Sequence, residues 1–339
     1  MEYYLLVIGL GSMGKRRIRN LQSLGYKNII GMDIREDRRN ETKNLYSIET
    51  FDNIDNAIHK YPINVLIISL PPDIHHTYMK LAINLGIPAF IEASVVDTDL
   101  TQIIEDATIK NILLLPSCTL HFHPAIKKIS EIIKNNDLGL ITNILYHSGQ
   151  YLPDWHSYES VSDFYVSNKI TGGCREIVPF ELTWITLLFG FPLRIVGLNK
   201  NSGTIEGAEN IEDTYNILMD FGTMIFNLSV DVISRHATRH LLINGVKKQL
   251  YWNWDENLIK IYSPDDIVWE EIKYEISDAN IGYNKNITEQ MYIEEMQAFM
   301  NAVGNIGTYP NSLDHDYKVL KLLYNSETSD MENTIIKVR

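Results

Sequence analysis

The stretch that decides the fold is Gly9-Leu10-Gly11-Ser12-Met13-Gly14. It follows an apolar run at residues 3–8, which predicts a buried strand, and it precedes residues 15–24, which have the spacing of a helix. A lone G-x-G-x-x-G motif is weak evidence, but this strand–loop–helix setting is the one in which such a loop binds a dinucleotide. The stretch therefore predicts an N-terminal Rossmann domain.

Each glycine of the loop has its own role. Gly9 permits the tight turn, Gly11 lets the backbone approach a pyrophosphate, and Gly14 lets the helix pack on the strand. Ser12 and Met13 lie at the helix N-terminus, whose free N–H groups and dipole attract phosphate. All five residues are therefore candidate cofactor-binding residues.

The choice between NAD and NADP depends on Asp33, which ends the next predicted strand 19 residues after Gly14. A carboxylate at this point accepts hydrogen bonds from the adenosine ribose and repels a 2′-phosphate. The sequence therefore favours NAD, with NADP less favoured. Arg35 and Arg38 lie close to Asp33 and weaken that preference, unless they belong to a solvated turn; we count Arg35 with the candidate cofactor-binding residues.

The overall pattern predicts two domains, residues 1–120 and 121–339. In the first, short apolar runs alternate with helical patterns, which indicates an α/β fold with a parallel sheet. In the second, most segments have strand character and two of them flank the turn Phe221-Gly222, so we expect an α+β domain with a mostly antiparallel sheet. The predicted strands are residues 3–8, 27–33, 64–69, 89–92, 111–116, 213–220 and 223–232, and the predicted helices are residues 15–24, 73–85, 125–134, 172–189, 288–303 and 312–324.

Composition narrows the class of function. The net charge of −13 argues against a nucleic-acid-binding regulator, because phosphate backbones attract basic surfaces. No apolar run reaches the roughly 20 residues of a membrane span, and no secretory signal is recognisable, so we expect a cytoplasmic protein with no membrane partner. Cys118 and Cys174 are expected to be reduced structural thiols. No cluster has metal-ligand spacing, so no metal is expected.

Segments along the whole chain resemble the Gfo/Idh/MocA oxidoreductases, and they occur in the family's order. In the first domain these are Ser69-Leu70-Pro71-Pro72 with His75, and Phe90-Ile91-Glu92. In the second domain they are Phe122-His123-Pro124-Ala125, Gly172-Gly173, Glu181-Leu182, Leu188-Phe189-Gly190, Glu212-Asp213-Thr214 and Tyr292-Ile293-Glu294-Glu295. The stretch Tyr151-Leu152-Pro153-Asp154-Trp155-His156 resembles a branch associated with bacterial surface-carbohydrate genes.

The resemblance implies an NAD(P)-binding domain joined to an open antiparallel sheet that serves substrate binding and oligomer contacts, and hence a homo-oligomer, either dimer or tetramer. The reaction it implies is hydride transfer between a sugar or polyol carbon and the nicotinamide, which needs a base for the hydroxyl proton. It also adds Ser69, Leu70, Pro71, His75 and Glu92 to the candidate cofactor-binding residues.

The chain departs from the family where the chemistry should occur. Ala93 stands in place of the lysine of the family's Glu-Lys-Pro triplet, and Phe180 stands where the acid/base histidine is expected. The family's aspartate falls on Glu176 or on Ile177. Removing a general acid/base costs about 10²–10⁴ in rate, so three interpretations stay open: a rearranged site, binding of NAD and sugar without turnover, or a partner subunit of a competent relative.

The sequence offers replacement groups. We place Glu176 first among the candidate catalytic residues, followed by His156, His121 and His123, with one of the last two holding the oxygen. The alternatives are a structural ion pair for Glu176 and ordinary polar residues at a helix start for His121 and His123.

Candidate substrate-binding residues cluster in an aromatic and polar loop. Its rings suit stacking on sugar faces, although a surface loop packing its own aromatics has the same composition. Arg235 belongs to a cationic stretch with His236, Arg239 and His240, which either meets a phosphate or carboxylate of a nucleotide sugar or forms a dimer interface or solvated edge. The candidate substrate-binding residues are Tyr151, Asp154, Trp155, Tyr158, Arg175 and Arg235.

The sequence thus predicts an NAD-dependent oxidoreductase-like protein that acts on a sugar or nucleotide sugar through a rearranged site. The alternative is a non-catalytic NAD-binding regulatory or partner subunit.

Overall fold

The structure is a computed structural model that describes residues 2–155, 159–276 and 288–338. The chain divides into two compact units: Met1–Thr119 with Tyr292–Tyr317, and Leu120–Met291 with Lys318–Arg339. The sequence pattern predicts a single boundary at residue 120, whereas the structure also returns a late segment to the first unit. That return depends on long-range packing, which a local pattern does not encode.

A six-stranded parallel sheet forms the core of the first unit. Its elements are β1 (Leu5–Ile8), α1 (Ser12–Ser23), β2 (Ile29–Met32), α2 (Glu36–Tyr46), β3 (Glu49–Phe51), α3 (Ile54–Lys60), β4 (Val65–Ile68), α4 (His75–Leu85), β5 (Ala89–Ile91), α5 (Leu100–Lys110) and β6 (Leu114–Pro116). The strand order is β3-β2-β1-β4-β5-β6. Leu5 of the central strand β1 pairs with both Ile29 and Val65. β1, β2 and β4 are buried along their whole length, as in parallel sheets covered on both faces.

The predicted Rossmann architecture of this unit is confirmed, and four elements were missed. Helix α2 buries only Thr42, so it carries almost no apolar periodicity. β3 is three half-buried residues long, and α3 buries only Ala57. α5 buries Leu100, Ile103 and Ala107 at helical spacing, a signal that the sequence does contain.

The second unit is built on a nine-stranded sheet. The elements after β6 are α6 (Pro124–Lys134), β7 (Ile141–Tyr151), α7 (Gly173–Phe189), β8 (Arg194–Lys200), β9 (Thr214–Asp220), β10 (Ile225–Asp231), β11 (Ile233–Gly245), β12 (Gln249–Asn253), β13 (Leu258–Ser263), β14 (Val268–Lys273), α8 (Glu289–Val303), α9 (Leu313–Glu332) and β15 (Ile336–Lys337). The strand order is β14-β13-β12-β11-β7-β10-β9-β8-β15. All neighbours are antiparallel except β7 and β10, so the predicted mostly antiparallel sheet is confirmed.

The two faces of this sheet differ. One is covered by α7 and by α9, which passes so close to β8 that a Cβ on Gly197 would lie 2.2 Å from the Ser326 carbonyl oxygen. The other face, which we call the open face because no described helix covers it, carries a shallow groove of about 450 Å³. Leucines and polar side chains line it, among them Leu145, His147, Leu198, Asn216, Leu218 and His240.

Candidate functional site

The phosphate loop has the geometry that its three glycines predict. Gly9 has φ +90°, and a Cβ there would lie 2.2 Å from the Ser69 carbonyl oxygen. A Cβ on Gly14 would lie 1.8 Å from the Gly9 carbonyl oxygen. A Cβ on Gly11 would meet nothing closer than Arg38 at 3.5 Å. Gly9 and Gly14 are thus required by the protein's own backbone, whereas Gly11 leaves room that a ligand can use. Ser12 and Met13 begin α1 and are half-buried.

Asp33 follows β2 beside this loop and is buried. Its Oδ2 accepts a hydrogen bond from the Leu10 N–H at 2.8 Å, and its Oδ1 accepts one from the Arg35 N–H at 2.8 Å. Arg38 Nη1 lies 3.9 Å from Oδ2, while the Arg35 side chain pairs with Asp37 instead. A carboxylate has about four acceptor positions, and Asp33 uses two of them for these backbone N–H groups. The loop and Asp33 together fit an NAD-type dinucleotide.

Hydrogen bonds from His75 and Ser69 stabilise the turn after β4. His75 is buried, and its Nε2–H donates to the Leu70 carbonyl at 2.7 Å. Burial lowers the pKa of His75, so the ring is neutral at pH 7. Pro71 precedes a 3₁₀ turn at Pro72–Ile74, and Ser69 Oγ donates to Glu92 Oε1 at 3.1 Å.

Glu92 is held by Arg17, a residue that the sequence interpretation missed. The fully buried Arg17 of α1 donates from Nε and Nη2 to the two oxygens of Glu92, each at 2.7 Å, and from Nη1 to Glu295 at 2.7 Å. Burial opposes the charged form, but the two carboxylates outweigh it and keep the pKa of Arg17 above its usual value. Glu92 therefore ties α1 to the end of β5. An arginine three residues after Gly14, inside a helix that faces the core, was the available signal.

Glu295 of α8 joins the same network. It accepts hydrogen bonds from Ser117 Oγ at 2.9 Å, from the Cys118 N–H at 2.6 Å and from Thr119 Oγ1 at 2.8 Å. This buried carboxylate fixes residues 292–317, the segment by which the chain returns to the first unit, to the end of β6. We call these residues the returning segment.

In the second unit, Glu176 lies in the first turn of α7. Tyr165 Oη donates to Glu176 Oε1 at 3.0 Å, and both side chains are half-buried. The neighbouring Arg175 donates from Nε and Nη2 to Glu327, at 2.6 and 3.2 Å, and from Nη1 to the Ile170 carbonyl at 2.7 Å. Those three hydrogen bonds fix the Arg175 side chain at the start of the helix. Tyr165 was missed because its pairing depends on a short 3₁₀ turn, Tyr165–Ser167.

The three candidate catalytic histidines lie in different environments. His123 is fully buried and caps α6, because its Nδ1 accepts the Ala125 N–H at 3.2 Å. Burial lowers the pKa of His123 to about 3, and its ring lies 5.6 Å from that of Trp252. His121 is half-buried with its pKa lowered by burial, and it packs edge-on against Phe122. His156 lies outside the described residues.

Two of the candidate substrate-binding residues are brought together. The Arg235 guanidinium lies 3.9 Å from the centre of the Tyr151 ring, and Ile233 pairs with Tyr151 across the strands. Asp231 accepts hydrogen bonds from the Ile233 and Ser234 N–H groups at 3.2 and 2.8 Å, next to a register shift that sets Arg235 on a bulge. Asp154 is exposed and Trp155 is half-buried, whereas Tyr158 lies outside the described residues.

The cationic stretch around Arg235 does not form one surface. Arg239 is buried, where its Nε donates to Glu181 at 2.9 Å and its guanidinium lies 4.4 Å from the Trp254 ring centre. His236 bonds to Asp255, and His240 lies on the open face of the sheet. Arg239 therefore does not share an exposed surface with Arg235, because a register shift between Ile233 and Thr238 separates the two along the strand.

Glu181 accepts hydrogen bonds from several side chains of this unit. Besides Arg239, it accepts hydrogen bonds from Tyr146 Oη at 2.8 Å, Ser148 Oγ at 2.8 Å and Trp184 Nε1 at 3.0 Å. It is fully buried, so this cluster is structural. A single carboxylate in the apolar middle of α7 was the sequence signal for it.

The fold and the phosphate loop define the class of this protein. It combines a Rossmann unit of the dinucleotide-binding type with a second unit built on a nine-stranded, mostly antiparallel sheet. Residues 4–105 match the family described as the oxidoreductase family, NAD-binding Rossmann fold, which is the Gfo/Idh/MocA family. The resemblance stated from the sequence is therefore confirmed over residues 4–105, which lie within the first unit.

Solved structures share the fold over the whole chain. An oxidoreductase from Agrobacterium radiobacter in complex with NAD⁺, L-tartaric acid and magnesium has a TM-score of 0.85 at 12% identity, covering 100% of this chain and 99% of its own. Levoglucosan dehydrogenase with NADH and levoglucosan has a TM-score of 0.84 at 14% identity and full coverage of both chains. The myo-inositol 2-dehydrogenase of Lactobacillus plantarum has a TM-score of 0.80 at 16% identity, again with full coverage of both. No curated protein matches the chain in sequence.

Two further findings concern residues 2–155, 159–276 and 288–338. Within these ranges no group of three or more His, Cys, Asp and Glu side chains could hold a metal ion. None of the helices there combines the length and the apolar character needed to cross a bilayer.

Proposed function

We propose that this protein is an NAD-dependent oxidoreductase that acts on a CH–OH group of a sugar or nucleotide sugar, with an acid/base group different from the family's usual lysine and histidine. The observation that carries the proposal is the open side of Gly11 beside the buried Asp33. When bound, NAD supplies the hydride acceptor; the phosphate loop holds its pyrophosphate and Asp33 its ribose. Asp33 supports NAD over NADP, since the Arg35 side chain pairs with Asp37.

The stacked pair Tyr151 and Arg235 supports a sugar or nucleotide-sugar substrate. Aromatic rings present apolar faces to sugar rings. The Arg235 guanidinium lies over the Tyr151 ring and is exposed, and no carboxylate of the described residues pairs with it. A guanidinium of this kind suits a phosphate or carboxylate group on the substrate. Surface-carbohydrate biosynthesis is the setting that the resemblance of residues 151–156 favours.

The alternative is an NAD-binding subunit that does not turn over. Ala93 and Phe180 favour it, because neither side chain can carry a proton where the family carries one. The two buried free cysteines fit a reducing compartment, and in either case we place the protein in the cytoplasm. We also propose that it is a homo-oligomer that associates through the open face of its sheet.

The test is to incubate the purified protein with NAD or NADP and a panel of sugars and nucleotide sugars, following the absorbance of reduced nicotinamide. We expect turnover with NAD and at least one substrate that bears an anionic group. Gly11→Ala should abolish it and weaken NAD binding measured by calorimetry, because the added Cβ occupies the open side of the loop. Gly307→Ala is the matched control, since a Cβ there has no neighbour closer than 3.8 Å. NAD binding without turnover across the panel would favour the non-catalytic alternative, and no NAD binding would refute both.

A further inference from the structure

We propose that Tyr165 is a catalytic residue of the reaction proposed above, contacting the reacting hydroxyl of the substrate, with Glu176 as the acceptor of the phenol proton. The inference rests on the proposed oxidoreductase function and identifies the acid/base group that the family's lysine and histidine no longer provide. Phe180, which stands at the histidine position, lies one turn along α7 from Glu176.

The first argument compares the two glutamates of α7, each of which accepts a hydrogen bond from a tyrosine outside the helix. Tyr146 Oη lies 2.8 Å from Glu181, and Tyr165 Oη lies 3.0 Å from Glu176. Tyr146 and Glu181 are 3% and 0% exposed, and Glu181 is neutralised by Arg239, so no substrate can reach that pair. Tyr165 and Glu176 are both half-buried. Only the second pair combines a proton donor, a carboxylate and access.

The second argument is that the position of Tyr165 is fixed by its backbone. Its carbonyl oxygen accepts hydrogen bonds from Thr171 Oγ1 at 2.6 Å and from the Asn168 N–H at 3.1 Å. Its ring lies 4.5 Å from the Phe164 ring in an edge-on arrangement. These contacts fix the backbone and ring of Tyr165, and the hydrogen bond to Glu176 then orients the phenol, as a preorganised proton-transfer group requires.

The third argument places the pair near the candidate sugar-binding residues. The start of α7 packs on Leu152 so closely that a Cβ on Gly173 would lie 2.6 Å from the Leu152 side chain. Leu152 directly follows Tyr151, which stacks with Arg235. The first turn of α7, which carries Glu176, thus lies at the same end of the sheet as the Tyr151–Arg235 pair. The dipole at this end of α7 also favours a negative charge on Glu176.

The proton balance of the oxidation is complete. A bound NAD would supply the hydride acceptor that converts the substrate's CH–OH to a carbonyl. The hydroxyl O–H bond breaks in that oxidation, and its proton moves to Tyr165 Oη. The phenol's own proton moves at the same time to Glu176 Oε1, which becomes a neutral carboxylic acid and returns the proton to water. In the reverse direction Tyr165 donates to the carbonyl oxygen and Glu176 reprotonates the phenol.

The experiment compares wild type with Tyr165→Phe, Glu176→Gln, the double variant and the control Tyr262→Phe, whose ring packs on Trp269 at the far side of the sheet. We expect each single change to lower kcat by about 10²-fold or more, with NAD affinity by calorimetry unchanged. The double variant should be no worse than the poorer single one, because the two groups act as a unit. Tyr262→Phe should retain wild-type kcat, and thermal melts should show that all variants fold.

A second readout is independent of turnover. In the presence of NADH, binding of the keto-sugar product by calorimetry should weaken about 3- to 10-fold in Tyr165→Phe, the worth of one neutral hydrogen bond. An active wild type with Tyr165→Phe within threefold of its kcat and with unchanged product affinity would overturn the inference alone. A wild type that binds NAD and turns over no substrate would refute the proposed function, and the inference with it.

Discussion

At the scale of single residues, the buried ion pair of Glu181 with Arg239 is expected to stabilise the second unit. Both side chains are buried, and Glu181 also accepts three further hydrogen bonds, so removing the cation leaves a buried carboxylate without its counter-charge. Breaking a buried ion pair of this kind costs about 3–5 kcal/mol. We therefore expect Arg239→Ala to lower the free energy of unfolding by that amount, measured by urea denaturation with tryptophan fluorescence.

The control is Arg235→Ala, a change of the same chemistry on the same strand but at an exposed position. It should stay within about 0.5 kcal/mol of wild type. Equal losses for the two variants would show that the pair with Glu181 does not set the stability.

At the scale of elements, α6 depends on a neutral histidine cap. Burial lowers the pKa of His123 to about 3, whereas in the unfolded chain it lies near 6.5. Between these values the unfolded chain binds the additional proton, so stability falls as the pH falls from about 6.5 towards 3. His123→Asn keeps a capping acceptor and cannot titrate. Between pH 6.5 and pH 4.5 the wild type should lose up to about 2–3 kcal/mol more than this variant, measured by denaturant titration at each pH. If the free energy of unfolding changed with pH in the same way in both proteins, the role of the neutral His123 cap would be contradicted.

The elements also show how far the sequence predicts this fold. β1, the phosphate loop and α1 are predictable, because a buried strand, three glycines and a helix follow one another locally. β7 was missed, because polar residues such as His147 and Gln150 interrupt the apolar–polar alternation that marks a half-buried strand. The candidate site likewise has one part that the sequence predicts and one part that it does not. The position of Asp33 follows from its spacing to Gly14, but the ion pair of Arg17 with Glu295 joins residues 278 positions apart.

At the scale of the whole molecule, the open sheet face predicts self-association. Leu145, Leu198 and Leu218 are 44%, 55% and 41% exposed along the groove, an apolar patch of the kind that marks interfaces. Leu218→Lys should reduce the mass measured by light scattering after size exclusion to that of a monomer. Ile109→Lys changes an isolated exposed residue of α5 and should leave the mass unchanged. A monomeric wild type would contradict the interface.

The first unit needs its returning segment, and this can be tested by dissection. Met296, Phe299 and Met300 of α8 belong to the same buried cluster as Leu5, and Phe299 lies 5.5 Å from Phe90. A fragment of residues 1–119 therefore exposes apolar core and leaves one arm of Arg17 and the hydroxyls of Ser117 and Thr119 without Glu295. Unsatisfied buried polar groups each cost about 1–3 kcal/mol.

We expect this fragment to melt without a cooperative transition and to bind NAD at least about tenfold more weakly than the full chain, since a loss of about 1.4 kcal/mol suffices for that factor. The same fragment joined to residues 292–317 by a flexible glycine–serine linker should recover both properties, because it restores Glu295 and the apolar side chains of α8 together. A linked fragment carrying Glu295→Ala should recover only part of the melting temperature, which separates the ion pair from the apolar packing. Cooperative melting and full NAD affinity in residues 1–119 alone would mean that the phosphate loop and its six strands hold their geometry without the returning segment.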